Sequence, residues 1–152
     1  MNVMVGGTFD PLHAGHRVLL SRSFEIAGRA GTVTIGLTSD EFVQKKSHPV
    51  RPYDTRKREL ICWIGSMDFE ASYTVECLSD QYGSALNDDF DALVVSEETF
   101  PVAEEINRLR EEMGKKRVDI YTIQCILADD GKIVSSTRIY RGEIDPDGHL
   151  IR

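Results

Sequence analysis

The sequence predicts an α/β domain of the doubly wound type, a five-stranded parallel sheet with helices on both faces. Two observations carry this. Short apolar, β-branched runs alternate with stretches of helical periodicity from one end of the chain to the other. The run Asp91-Ala92-Leu93-Val94-Val95 stays apolar after its first residue, as suits a strand covered on both faces. No internal repeat, low-complexity stretch or linker interrupts the pattern, so residues 1–152 read as one domain.

The elements follow in order. Asn2 to Val5 reads as a short buried strand. From Ala14 to about Ala27, Val18, Leu19, Phe24 and Ile26 recur at roughly helical spacing, and Gly28 and Gly31 end that helix. Thr32 to Leu37 is a second strand, rich in β-branched residues. Thr38-Ser39-Asp40-Glu41 signals the start of a short helical turn, and Lys45 to Pro52 a basic loop interrupted by prolines. Asp54 is expected to cap a helix over Thr55 to Met67 with Leu60, Ile64 and Met67 on one face. Glu70 to Cys77 and Asp91 to Val95 are the third and fourth strands, with a helix over Pro101 to Met113 ending at Gly114. Val118 to Ile126 is the fifth strand, Asp129-Asp130-Gly131 a turn, and Ser135-Ser136-Thr137 the start of a last short helix. The whole is a Rossmann-like arrangement.

Composition narrows the function classes. A formal net charge of -7 argues against broad nucleic-acid binding, which needs a basic face. It leaves room for a locally basic pocket that takes a small anion. No apolar run approaches the roughly 20 residues that span a bilayer, and Met1 to Val5 is too short for a signal peptide. A cytoplasmic protein without membrane or nucleic-acid partners is expected. Cys62, Cys77 and Cys125 are widely spaced, as buried reduced thiols would be.

In this architecture ligands bind beyond the carboxyl ends of the strands, where the strand order reverses. The informative segments lie at those ends. After the first strand comes Gly6-Gly7-Thr8-Phe9-Asp10-Pro11-Leu12-His13-Ala14-Gly15-His16. Its glycines leave the backbone open to a bulky ligand, Asp10-Pro11 starts a turn, and His16 falls in the first helical turn, where free N–H groups and the dipole favour an anion. A turn with a surface histidine is the bland alternative, and the glycines and histidines together favour phosphate contact.

His13-Ala14-Gly15-His16 resembles the (T/H)-x-G-H signature of the nucleotidyltransferase superfamily, and Val134-Ser135-Ser136-Thr137-Arg138-Ile139 most of its downstream I-S-S-T-x-I-R motif. With Val94 to Thr99 and Gly142 to Asp145, the chain looks most like the archaeal and eukaryotic type of phosphopantetheine adenylyltransferase. One departure is Tyr140, where relatives often have Arg; Arg141 follows one step later, about 100° around a helix.

The resemblance implies transfer of the adenylyl group of ATP to 4′-phosphopantetheine, giving dephospho-coenzyme A and pyrophosphate, with Mg²⁺ carried by ATP. It implies that Gly7, Thr8, Phe9, His13 and His16 surround ATP and the incoming phosphate, with Thr8 hydrogen-bonded to the acceptor phosphate. Candidate cations are Lys45, Lys46, Arg51, Arg56 and Arg138, and Lys45 or Lys46 is the lysine expected at the reacting phosphates. His16, these lysines and Arg138 are the expected catalytic groups. Arg56 either binds the substrate anion or pairs with Asp54 or Glu59. Ser135, Ser136, Thr137 and Arg138 suit the β- and γ-phosphates, with ordinary helix capping as the alternative. Ser96, Glu97, Glu98 and Thr99 would lie near the ribose or adenine. His48 and His149 read as surface residues, Trp63 and Tyr73 as packing, and no His/Cys/Asp cluster suggests a protein-held metal. Rival readings are another enzyme of the superfamily, acting on nicotinamide mononucleotide, a flavin or a cytidylyl acceptor, or a non-catalytic nucleotide-binding domain. Gly7-Thr8-Phe9 stands where the nicotinamide enzymes have Gly-Arg-Phe, and the Arg-Tyr-Val-Asp-Glu-Val stretch of cytidylyltransferases is missing.

Overall fold

A computed structural model describes residues 1–43 and 49–151. Strands β1 (Asn2–Gly7), β2 (Thr32–Thr38), β3 (Ser72–Leu78), β4 (Ala92–Ser96) and β5 (Asp119–Ile123) form one sheet in the order β3-β2-β1-β4-β5, every neighbouring pair parallel. Helices α1 (Ala14–Ala27), α2 (Asp40–Val43), α3 (Tyr53–Met67), α4 (Phe100–Glu112) and α5 (Ser136–Tyr140) connect and flank the strands.

Strand alternation explains the two faces. Val3, Val5, Val33, Ile35 and Leu37 point to one side and pack with Leu20 and Phe24 of α1 and Leu60 and Ile64 of α3. Met4 and Leu93 point the other way and meet Ala103 and Ile106 of α4. Leu20, Phe24 and Ala27 share one face of α1, whereas Val18 lies on its exposed side.

Several boundaries differ from the sequence reading. β1 continues through Gly6 and Gly7, which pair with Gly36 and Leu37, so both glycines are strand residues. A Cβ on Gly36 would lie 2.7 Å from Leu78, and one on Gly7 3.2 Å from the Phe9 ring. Glycine there makes room for the protein's own side chains. β5 stops at Ile123, and beyond it a bridge between Leu127 and Ile133 closes the Asp129-Asp130-Gly131 turn. A 3₁₀ turn over Gly83–Leu86, absent from the sequence reading, precedes β4. Asp54 does not cap α3. The N-cap is Pro52, and the Asp40 carboxylate of α2 accepts from the Tyr53 N–H at 2.9 Å, doing that job from a distant segment.

The connections reverse direction between β3 and β4, with β1 at the centre of the sheet. β1 pairs with β2 along its whole length, but with β4 only at Val3↔Ala92 and Met4↔Leu93. Past that point β1 and β4 diverge, and the divergence opens the sheet at its carboxyl end.

Candidate active site

At the start of α1 two histidines cap one helix. His13 is the N-cap; its Nδ1 accepts from the N–H groups of Gly15 (3.1 Å) and His16 (3.3 Å), and the His16 Nδ1 accepts from the His13 N–H at 3.3 Å. Both Nδ1 atoms act as acceptors, so the ring proton of each neutral imidazole sits on Nε2. Burial, followed by the charge of Arg17, pushes the His13 pKa down to about 4. The Ala14 N–H donates to the Pro146 carbonyl and the Arg17 N–H to the His13 carbonyl. The first-turn donors expected to be free for an anion are therefore engaged within the protein. What remains in the main chain at this end for an anion is the helix dipole.

The first-motif turn is built around two buried residues. Phe9, with φ 50°, is a core side chain whose ring meets His16 edge-on at 4.9 Å between centroids. Asp10 is fully buried. Its carboxylate accepts from the Arg51 N–H at 2.9 Å, from the Arg51 Nε, and from the Tyr140 hydroxyl. Burial alone would raise the Asp10 pKa; the bonds from Tyr140 and Arg51 outweigh it and hold the carboxyl below its ordinary value. Arg51 also pairs with Glu59 at 2.9 Å, and Glu59 accepts from the Leu12 N–H. Sequence reading saw Asp10 only as a turn former and left Tyr140 as a departure. An acid inside an otherwise apolar turn was the available signal.

Arg56 is fully buried on α3. It donates to the carbonyls of Arg51 and Thr8, to the Thr38 hydroxyl and to Asp40 at 3.1 Å. Its carboxylate partner is Asp40, and neither Asp54 nor Glu59 was the right expectation. Thr8, held by Arg56 through its carbonyl, receives a hydrogen bond on its own hydroxyl from Thr38 at 3.1 Å.

The other expected site segments converge less tightly. Ser96 and Thr99 bond to each other across the turn after β4, with Glu97 and Glu98 exposed between them. Ser135 caps α5 by accepting from the Arg138 N–H, so the ordinary-capping alternative holds for its hydroxyl. The hydroxyls of Ser136 and Thr137 make no side-chain hydrogen bond among the described residues. Arg138 reaches back to Asp130 at 2.5 Å and to Glu143 at 3.0 Å, so its guanidinium lies between two carboxylates. Lys45, Lys46 and His48 lie outside the described residues. Among the described residues no group of His, Cys, Asp and Glu is arranged to hold a metal ion, and no helix is long and apolar enough to cross a membrane.

Where β1 and β4 cease to pair, a chamber of about 180 Å³, open to solvent, lies on the α4 face. Its walls are mainly apolar, from Met4, Leu93, Val95, Tyr82, Val102 and Ile106, and Phe42 of α2 also lines it. Gly7 and Thr38 belong to the same lining, so the chamber adjoins the first-motif turn. It had no signal in the sequence, because its lining comes from segments far apart in the chain.

A parallel sheet open at its switch point, with a double-histidine helix start beside it, defines a cytidylyltransferase-like domain, and the family model of that description matches residues 4–142. Within that class the chain belongs to the phosphopantetheine adenylyltransferases. It is 48% identical over 149 residues to the phosphopantetheine adenylyltransferase of Methanosarcina barkeri, covering 97% of this chain and 91% of that relative. It is also 48% identical over 151 residues to the enzyme of that name from Methanothermobacter thermautotrophicus, covering 99% and 89%. Among solved structures, a protein of unknown function from Archaeoglobus fulgidus superposes with a TM-score of 0.72 at 36% identity, over 81% of this chain and 89% of that one. A lipopolysaccharide core biosynthesis protein from Thermoplasma volcanium, with a TM-score of 0.61 and 18% identity over 81% of this chain and 95% of that one, shares the fold alone.

Proposed function

We propose that this chain transfers the adenylyl group of ATP to 4′-phosphopantetheine, forming dephospho-coenzyme A and releasing pyrophosphate. Beyond the family, the observation that carries this reading is the apolar chamber adjoining Gly7 and Thr38. An acceptor with a long, weakly polar arm ending in a phosphate fits such a chamber with its phosphate at the first-motif turn. A nucleotide acceptor would bring a hydroxyl-rich, strongly hydrated ribose to apolar walls.

In the reaction a phosphate oxygen of phosphopantetheine attacks the α-phosphorus of ATP. The bond from that phosphorus to the bridging oxygen breaks, and pyrophosphate leaves. The attacking phosphate is already an anion, so no covalent enzyme intermediate is required. The protein's work is alignment and neutralisation of charge. His16, held by Phe9 and the His13 stack, presents Nε2–H to the α-phosphoryl oxygens. Thr8 and one lysine of the second-strand loop, Lys45 or Lys46, serve the acceptor phosphate; Arg56 supports the Thr8 turn through its carbonyl. Ser136, Thr137 and Arg138 serve the leaving pyrophosphate, Arg138 by exchanging Asp130 for phosphate oxygens. Ser96, Glu97 and Thr99 lie toward the nucleoside. Mg²⁺ arrives with ATP and screens the triphosphate.

The test is turnover. Purified protein with ATP, Mg²⁺ and 4′-phosphopantetheine is expected to release pyrophosphate in step with dephospho-coenzyme A seen by mass spectrometry. Turnover with nicotinamide mononucleotide or a flavin phosphate, and none with phosphopantetheine, would overturn the reading.

A further inference from the structure

The buried Asp10 carboxylate ties together three segments that no strand pairing joins. Asp10 itself lies between β1 and α1. Arg51 lies just ahead of α3 and binds it through both main chain and guanidinium. Tyr140 is the last residue of α5, and its hydroxyl crosses 130 positions of sequence to reach the same carboxylate. The Tyr140 side chain is partly covered, and its hydroxyl bonds directly to the Asp10 carboxylate. Helix α5 is five residues long, too short to fix its own orientation, and it carries the Ser135–Arg138 motif. A buried acid with three donors from two segments is costly to disturb and well suited to fix geometry.

We propose that Tyr140, Asp10 and Arg51 are positioning residues: together they hold α5 at a set distance from the first-motif turn, and so fix how the Ser135–Arg138 motif meets ATP. This rests on the reading above that the motif meets ATP. None of the three needs to touch substrate. Asp10 is consumed by its internal donors, and the tyrosine supplies a neutral hydroxyl where a second arginine would crowd Arg51.

The test separates the two substrates. Binding of a non-hydrolysable ATP analogue and of phosphopantetheine is measured by calorimetry for the wild type, Tyr140→Phe, Asp10→Asn and the double variant, with melting temperature as a control. Tyr140→Phe keeps the ring and is expected to weaken ATP about tenfold with phosphopantetheine affinity little changed, while the lost hydrogen bond to a buried carboxylate lowers the melting temperature by a few degrees without unfolding the protein. In the Asp10→Asn background the same substitution adds less than about twofold, because the hydroxyl acts through Asp10. If Asp10→Asn does not fold, the substrate split in Tyr140→Phe decides alone. Unchanged ATP affinity in Tyr140→Phe, equal weakening of both substrates, or fully additive effects would overturn the proposal. A wild type that binds ATP but does not turn over phosphopantetheine refutes the function and leaves this test standing; a wild type that binds no ATP refutes both.

Discussion

The imidazole rings of His13 and His16 stack, with centroids 3.6 Å apart and planes 16° from parallel, while each ring accepts a backbone N–H through Nδ1. Two side chains expected to reach a ligand are thus first a capping device for α1.

That device titrates. His13 has its pKa pushed down to about 4 by burial and then by Arg17, against 6.5 for an ordinary histidine. Between these values the unfolded chain takes up a proton that the folded chain refuses, so stability falls as pH drops from about 6.5 toward 4. The full effect is of order 3 kcal/mol. His13→Thr keeps a capping oxygen and removes this titration. Melts at pH 7.5 and pH 5 are expected to show a smaller drop in the variant than in the wild type; equal drops would assign the pH dependence elsewhere.

His16→Ala removes the Nε2–H donor and one half of the reciprocal cap. Losing one donor to developing charge costs about 10² to 10³ in rate, whereas losing a single cap contact costs about 1 kcal/mol of stability. The expected result is a large fall in kcat with a folded protein. Near-normal turnover would take His16 out of the chemistry.

Val102 lines the apolar chamber from α4. Val102→Phe adds bulk to a space of about 180 Å³ and is expected to raise KM for phosphopantetheine about tenfold, leaving KM for ATP near its original value. Steady-state kinetics with each substrate varied in turn checks this. A rise for ATP alone would put the nucleotide in the chamber.

Arg138 is held between Asp130 and Glu143. If it exchanges Asp130 for phosphate oxygens, Asp130→Asn weakens the competitor and lowers KM for ATP about two- to fivefold. Arg138→Ala lowers kcat and kcat/KM for ATP together, and Arg138→Lys restores only part, because a point charge does not replace a planar fork. An Asp130→Asn variant with ATP kinetics like the wild type would make Arg138 a purely structural ion pair.

Arg56 has acceptors from four residues and no exposed surface. Arg56→Ala takes a donor from the Thr8 and Arg51 carbonyls and from the Thr38 hydroxyl and leaves a void where a buried guanidinium stood, and is expected to cost about 3 kcal/mol. Chemical denaturation measures it. A stable Arg56→Ala protein with a raised KM for phosphopantetheine would restore the anion-binding role.

The fold was legible because periodicity survives in one dimension: Thr32 to Leu37 and Asp91 to Val95 read as strands from their own residues, and so they are. Their edges were not, since the ladder at Gly6↔Gly36 is a property of the pair. The first motif was visible as a cluster of unusual residues. What those residues do to one another was hidden, because Asp10 meets Tyr140 and Asp40 meets Tyr53 only after the chain has folded. The helix start misled for a physical reason: a sequence shows which N–H groups an α-helix leaves free, but it does not show that Pro146 and the His13 ring will take them.

The sheet has an unequal seam. β3, β2 and β1 are laced along their full lengths, as are β4 and β5, but the ladder between the two plates holds just Val3↔Ala92 and Met4↔Leu93, with Asp91 and Asn2 bonded to each other at its start. A molecule lodged in the chamber touches Gly7 on one plate and Val95 on the other and becomes the missing stitches. Occupancy should therefore be felt as stiffness across the middle of the protein, read as slower amide exchange at Val94 and Val95 than in the empty form.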